Sequence, residues 1–239
     1  MNPTPTPSTE ASTAEKDDIA KHLCAALKGA IVSESPFFHL VLRDCFPESV
    51  AMGMWPGLPP TSSYQDLRHH DAMQADGSSA RRHLILDGRS VAALPEPTKA
   101  FWAPIREALA SRRVREMMWR LHEPALRRRF GEAWNQVAVT PRISLICDLA
   151  GYRIGIHRDI AKKVITTQFY LPTSEAQRHL GTVFYTREGG EYHRDRQMEF
   201  LPNSGYSFTV GDDSYHAVDT LEAKDSPRHS LMLVYYLKD

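Results

Sequence analysis

The segment "VAVTPRISLICDLAGYRIGIHRDIAKKVITTQFYLP", residues 137–172, marks a change of pattern within a chain of 239 residues. It consists of short apolar or alternating runs, rich in β-branched and aromatic residues and separated by turn residues, and similar runs follow it to residue 239. This pattern is typical of antiparallel strands in a sandwich or barrel. We therefore predict about eight strands from residue 138 onward, with a strand as the last element.

The first part of the chain has the wider apolar spacing of helices. In residues 16–32, apolar side chains recur at every fourth position after a pair of aspartates, which predicts an amphipathic helix. Residues 97–130 predict two further helices with a break near Pro124, and residues 47–55 predict a short one. The four apolar positions of the first helix are Ile19, Leu23, Leu27 and Ile31.

These elements predict a single α+β domain over residues 18–239. Its core would be a jelly roll, the double-stranded β-helix, supported by N-terminal and central helices. Two earlier strands, "PFFHLVLRDCFP" at 36–47 and "RRHLILDG" at 81–88, flank a long polar loop. Residues 1–17 are rich in Pro, Ser and Thr and are predicted to be a disordered tail.

Composition excludes several classes of protein. The formal net charge is zero, so no overall field favours nucleic acid or an anionic membrane. No apolar run is long enough to span a bilayer. The three cysteines lack a CxxC pair, which favours a reducing compartment. We expect a cytoplasmic protein that binds neither nucleic acid nor membrane.

The pattern His-x-Asp is a candidate metal-binding motif, but it occurs three times and is weak by itself. The first copy lies in a polar loop, and the third lies in what looks like a hairpin connection with too little chain after it to supply a distant ligand. Only the second follows an apolar strand and precedes the strongest strand of the chain. The copies are His69/Asp71, His157/Asp159 and His193/Asp195.

His157 and Asp159 are spaced to share a metal ion, because residues two apart on a strand point to the same face. A distant third ligand is available in His216, which lies 59 positions after His157 on the predicted penultimate strand. Two histidines and one carboxylate with open positions form the arrangement of non-haem Fe(II) oxygenases. Arg228 follows His216 by twelve positions and opens the last predicted strand.

These residues, in this order, resemble the Fe(II)- and 2-oxoglutarate-dependent oxygenases. That family has His-x-Asp, a long interval, a distal His, and then a basic residue some ten to fifteen positions later. Here the last element has the form Arg-x-Ser, with Arg228 and Ser230. The resemblance covers roughly residues 138–239, and "SPFFHLVLRDCFPESV" is similar to the first strand of the prolyl-hydroxylase-like branch.

The resemblance implies a ligand set and a co-substrate site. His157, Asp159 and His216 would ligate Fe(II), and 2-oxoglutarate would chelate the metal through its 1-carboxylate and 2-keto oxygen. The far carboxylate would be held by a guanidinium fork, a hydroxyl and a phenol. The three residues in those roles would be Arg228, Ser230 and Tyr170.

Strand alternation extends the candidate site by two residues. If Tyr170 points inward, Thr166 and Gln168 point inward as well. Both are candidates for contact with the co-substrate or the substrate.

The resemblance also implies a reaction. O₂ and 2-oxoglutarate would be consumed, succinate and CO₂ released, and an unactivated C–H bond of the substrate hydroxylated or otherwise oxidised. Asp159 is the carboxylate that halogenating members of the family lack, so hydroxylation is favoured. The Arg, His and Tyr content of the loops suits a polar or anionic small molecule, such as an intermediate of secondary metabolism or a molecule linked to a carrier protein.

Two other classes of function remain open. A redox-inert, cupin-like metalloenzyme with zinc or manganese would also use His and carboxylate ligands, although it needs no dicarboxylate anchor such as Arg228 and Ser230. A non-catalytic jelly-roll binding protein would need none of these residues together. The eight arginines within 97–130 form either a solvated helix face or a docking surface for an acidic partner such as a carrier protein.

Overall fold

The structure, a computed structural model, describes residues 7–225 and 227–238. Twelve strands in this part of the chain form two antiparallel sheets. The strands are β1 (Ile31–Ser33), β2 (His39–Arg43), β3 (Gln65–Asp66), β4 (Arg81–Ile85), β5 (Val139–Asp148), β6 (Ile154–His157), β7 (Lys163–Leu171), β8 (Val183–Glu188), β9 (Glu191–Gln197), β10 (Ser204–Thr209), β11 (Tyr215–Val218) and β12 (Arg228–Leu237).

Six α-helices accompany these strands within the described residues, and all of them precede β5. Together with the antiparallel sheets they confirm the predicted mixture of helices and strands, including eight strands after residue 138. The helices are α1 (Pro7–Lys28), α2 (Glu48–Met54), α3 (Gly88–Ala92), α4 (Thr98–Leu109), α5 (Arg112–Leu121) and α6 (Glu123–Phe130).

The large sheet has eight strands in the order β1-β2-β10-β7-β12-β5-β4-β3, and the small sheet has the order β6-β11-β8-β9. The last strand, β12, therefore lies between β5 and β7 near the centre of the large sheet. Its register with β5 runs without interruption from Arg228↔Asp148 to Leu237↔Val139. Elements that are far apart in sequence thus become direct neighbours.

The two faces of the large sheet differ in polarity, as strand alternation requires. Leu231, Leu233 and Tyr235 of β12 lie on the outer face, in a core cluster that also contains buried residues of α1, α4 and α5. The inner face, between the two sheets, carries polar side chains that include Ser230 and Gln168. The candidate site lies on this inner face.

Three boundaries differ from the sequence-based expectation. The region 97–130 contains three helices rather than two, because the Ser111 side chain accepts a hydrogen bond from the Val114 N–H and starts a new helix there. Ile31 lies in β1 and is 64% exposed, since α1 ends at Lys28. The expected tail over residues 1–17 overlaps α1 from Pro7 onward, and residues 1–6 lie outside the described residues.

Candidate metal centre

Three predicted ligands meet at one end of the small sheet. His157, the last residue of β6, is the direct cross-strand partner of His216 on β11. Asp159 lies two residues beyond β6, in the turn rather than on the strand. One potential ligand atom from each of the three side chains lies within 4.8 Å of the other two. This group has the size and composition of a single metal site.

Hydrogen bonds fix the orientation of both imidazoles. His157 Nδ1 lies 2.9 Å from the Gly155 carbonyl oxygen, and His216 Nδ1 lies 3.0 Å from that of Ser214. A carbonyl oxygen only accepts, so each Nδ1 carries the proton and each Nε2 keeps its lone pair. Burial lowers the pKa of His157, and it lowers that of His216 to about 4. Both rings are therefore neutral at pH 7, as metal binding requires.

Asp159 is held as a carboxylate by its neighbours. Burial by itself raises its pKa, but Lys163, His216 and Thr166 outweigh that effect, so the pKa is lowered. Lys163 Nζ donates to Oδ1 at 2.5 Å, and Thr166 Oγ1 donates to Oδ2 at 2.7 Å. Thr166, a candidate for contact with the co-substrate or the substrate, thus holds one oxygen of Asp159, a candidate metal ligand.

Arg228, at the start of β12, is completely buried on the opposite sheet. Its Nε donates to the Leu180 carbonyl oxygen at 2.7 Å, and its Nη1 donates to Asp148 Oδ2 at 2.7 Å. Its Nη2 is buried and has no hydrogen-bond partner within the described part of the chain. A buried guanidinium with an unsatisfied N–H group is suited to hold a carboxylate that enters from the pocket.

The two predicted hydroxyls near Arg228 keep their protons available. Ser230 Oγ accepts from Gln168 Nε2 at 2.7 Å, and the Tyr170 hydroxyl accepts from the Thr182 N–H at 3.0 Å. Each oxygen is thus an acceptor whose own O–H can donate to a further group. Gln168 points inward as alternation predicted, and its Oε1 accepts from the Tyr206 hydroxyl at 2.8 Å.

Several solved structures are similar to this chain in fold, and their descriptions name hydroxylases or alpha ketoglutarate dependent enzymes. A prolyl hydroxylase from Trichoplax adhaerens, in complex with a hypoxia inducible factor peptide fragment, aligns with a TM-score of 0.52 at 11% identity, over 98% of this chain and 94% of its own. A Pseudomonas putida prolyl-4-hydroxylase aligns with 0.52 at 12%, over 95% and 100%. The non-heme alpha ketoglutarate dependent carbocyclase SnoK from nogalamycin biosynthesis aligns with 0.52 at 9%, over 99% and 88%.

The chain has the fold of the 2-oxoglutarate- and Fe(II)-dependent oxygenases. No protein-family model matches the sequence. No curated protein sequence matches it either. In the part of the chain that the structure describes, no helix has the length and apolar character needed to cross a membrane.

Within this fold, a row of charged residues that no sequence motif indicated crosses three neighbouring strands of the large sheet. Arg81 on β4, Asp148 on β5 and Arg228 on β12 are direct cross-strand partners. Arg81 Nε lies 3.2 Å from Asp148 Oδ1, and Arg81 Nη1 donates to the Tyr152 hydroxyl. Two cations thus share one buried carboxylate, and the row has a net charge of +1. Only the register of β4, β5 and β12 could have revealed it.

Among the described residues, the other His-x-Asp pairs do not belong to this group of ligand atoms. His193 and Asp195 are on strand β9, not in a hairpin connection as predicted, and both are exposed. His69 precedes a short 3-10 helix, His70–Ala72, and its imidazole lies with His70 and Asp71 in a second group of potential ligands. Both histidines of that group are exposed.

Proposed function

We propose that this protein is an Fe(II)- and 2-oxoglutarate-dependent dioxygenase that hydroxylates an unactivated C–H bond of a polar small molecule. Residues 18–239 would form its double-stranded β-helix domain, and the cytoplasm would be its compartment. One observation supports the proposal most directly. The chain combines a three-ligand group at the end of the small sheet with a buried guanidinium on the large sheet that has an unsatisfied N–H group.

The residues at the metal end fit Fe(II). His157 and His216 would each offer Nε2, and Asp159 would offer a carboxylate oxygen while Thr166 holds the other. Lys163 would give up its contact with Asp159 Oδ1 when a cation binds there. When bound, Fe(II) and 2-oxoglutarate supply the activation of O₂, coupled to decarboxylation to succinate and CO₂.

The residues at the other end fit a second carboxylate. Arg228 Nη2 would donate to it, and the free O–H groups of Ser230 and Tyr170 would donate as well. A ligand with a chelating end and a distant carboxylate satisfies all of these donors together. 2-Oxoglutarate has that shape, whereas water alone would leave the charge of Arg228 poorly matched.

The proposed class of substrate is based on the descriptions of similar solved structures. The descriptions of similar structures name a peptide ligand in one case and nogalamycin biosynthesis in another. They give no support for a carrier-linked substrate, so we propose a free small molecule.

The proposal is tested by anaerobic titration of the protein with Fe(II) and 2-oxoglutarate, monitored by visible absorption. We expect a metal-to-ligand charge-transfer band that requires both additions and is absent in His216→Ala. A folded wild-type protein that binds metal without the band would favour the redox-inert metalloenzyme. A folded protein that binds no metal would favour the binding protein.

A further inference from the structure

A group of cations lies on the inner face of the large sheet beside the proposed site. Direct cross-strand partners share a face, so the pairs Arg81↔Asp148, His83↔Ile146 and Arg142↔Val234 extend the face that carries Arg228 and Ser230. Arg81 and His83 are half-buried, and Arg142 is exposed. These three residues lie on β4 and β5. In the large sheet, those two strands lie between β12 and the edge strand β3.

Both arginines are close enough to His83 to act on it electrostatically. Burial lowers the pKa of His83, and the charges of Arg142 and Arg81 lower it further. The Arg142 guanidinium carbon lies 4.7 Å from the centre of the Tyr236 ring, which fixes its position. Among the described residues Arg142 has no ion-pair partner. The carboxylate that forms an ion pair with Arg81 is Asp148, which also binds Arg228.

The register gives the backbone separation between Arg142 and Thr166, the residue that holds Asp159. Arg142 pairs with Val234, Val234 pairs with Thr166, and the Thr166 hydroxyl donates to Asp159. Adjacent strands are about 4.8 Å apart, so two steps across the sheet span roughly 10 Å. A small molecule held at Arg142 by one end could thus present a C–H bond at the metal by the other.

We propose that Arg142, His83 and Arg81 form a substrate subsite for an anionic group, a carboxylate or a phosphate, on the molecule that the enzyme oxidises. The inference rests on the proposed function for the identity of the reaction, because the cations define only where an anion binds. It names the substrate class as an anionic small molecule. Arg142 supplies the unpaired charge, and Arg81 supplies Nη2, for which the described residues give no partner.

The test is a titration of the metal-free, full-length protein with inorganic phosphate and, separately, with acetate, while the ring protons of His83 are followed by NMR. We expect saturable binding of at least one of the two anions and a rise in the pKa of His83, since the anion offsets the two arginines. Arg142→Gln should weaken that binding about tenfold, as expected for the loss of one charge-assisted contact. The preferred anion identifies phosphate or carboxylate as the ligand group.

Arg120→Gln serves as the matched control, because Arg120 is an exposed arginine on α5. It should bind the anion as wild type does. Equal affinity of Arg142→Gln and wild type, or an unchanged His83 signal with both anions, would overturn the proposal. The charge-transfer titration is a separate readout: its failure in wild type counts against the iron chemistry and leaves the anion subsite standing. Loss of the band in Arg142→Gln would move Arg142 to the co-substrate site and overturn the assignment.

Discussion

Lys163 is a residue of the candidate metal centre that the sequence motif did not indicate. Its ammonium group donates to Asp159 at 2.5 Å, and both side chains are mostly buried. A cation in this position keeps the ligand ionised, but it also competes with a metal ion for the same oxygen. The affinity of the site for metal therefore reflects a balance between Lys163 and Thr166, which hold opposite oxygens of one carboxylate.

Substitutions of these two residues should change metal affinity in opposite directions. Lys163→Met removes a competing charge and should tighten Mn(II) binding by about tenfold, a change of roughly 1.4 kcal/mol. Thr166→Val removes the hydrogen bond that orients Asp159 and should weaken binding by roughly 10- to 100-fold. Calorimetric titration of Mn(II) measures both. Weaker binding in Lys163→Met would show that the lysine supports the ligand set.

Arg228→Ala should raise the 2-oxoglutarate requirement by one to two orders of magnitude. The loss of a buried charged partner costs about 2–5 kcal/mol, and part of that cost falls on Asp148, which keeps Arg81 but loses one of its two arginine partners. The concentration dependence of the charge-transfer band measures the change. Ser230→Ala removes one hydroxyl from the same site and should have a smaller effect. An unchanged requirement in Arg228→Ala would mean that another residue anchors the co-substrate.

His122 should make the folded state sensitive to acid. Its two ring nitrogens lie 2.9 Å from the hydroxyls of Thr209 and Ser207, and burial lowers its pKa to about 3. The unfolded chain binds a proton near pH 6.5, whereas the folded state does not until about pH 3. This contribution to stability is therefore complete above pH 6.5 and is lost as the pH falls toward 3.

The expected slope is about 1.4 kcal/mol per pH unit for this one group below its unfolded pKa. His122→Gln should be less stable at pH 7, yet its free energy of unfolding should fall less steeply with acid by about that amount. Urea unfolding at a series of pH values from 7 to 4 measures it, with substitution of the exposed His193 as control. Parallel curves for His122→Gln and wild type would contradict the burial of a neutral imidazole.

The close packing of strands β10 and β7 depends on Gly205 in β10. A Cβ at Gly205 would lie 2.2 Å from the Gln168 carbonyl oxygen and 3.0 Å from Phe169 Cα, both on β7. Backbone atoms cannot swing away as a side chain can, so β10 and β7 must separate. Gly205→Ala should cost about 1–3 kcal/mol or more of unfolding free energy, as overpacking does.

The comparison for Gly205→Ala is Gly29→Ala, where the atom nearest to an added Cβ is the Ala26 carbonyl oxygen at 3.7 Å. Thermal and urea unfolding of the two variants should differ clearly. Because Gln168 also contacts Ser230, Gly205→Ala should in addition weaken 2-oxoglutarate binding. Wild-type stability in Gly205→Ala would mean that the two strands are farther apart than described.

Sequence patterns identified the type of the elements and the eight strands after residue 138, because apolar periodicity is local, but they gave two helices in 97–130 where there are three. They also found His157, Asp159, His216 and Arg228, since the resemblance depends on order and interval. They missed Asp148, which pairs with residues 67 positions earlier and 80 positions later. Such partners are set by strand order, and nothing in the local sequence of β5 encodes the neighbours of that strand. For the same reason, sequence patterns did not indicate that Arg81, His83 and Arg142 share one face of the large sheet.

The proposed metal ion and co-substrate would connect the two sheets of the molecule. The metal ligands belong to the small sheet and its following turn, whereas Arg228 and Ser230 belong to the large one. A molecule bound to both would resist their separation. At about 100-fold over its Kd, a ligand adds about 2.7 kcal/mol of stability, which raises the Tm of a domain of this size by roughly 5–10 °C.

We therefore expect Mn(II) with 2-oxoglutarate to raise the Tm more than Mn(II) alone in differential scanning calorimetry. Arg228→Ala should keep the increment from Mn(II) and lose most of the increment from 2-oxoglutarate. His216→Ala should lose both. Equal increments from 2-oxoglutarate in wild type and Arg228→Ala would mean that the co-substrate does not bridge the sheets.

The central position of β12 has a consequence for biosynthesis. A ribosome that has translated the chain as far as Pro227 has made every other strand of the large sheet, but β5 and β7 still lack the partner that lies between them. The nascent chain then exposes two unpaired strand edges, onto which other polypeptides can add. Folding must wait for β12, and chaperone capture during this interval should govern how much active protein a cell recovers.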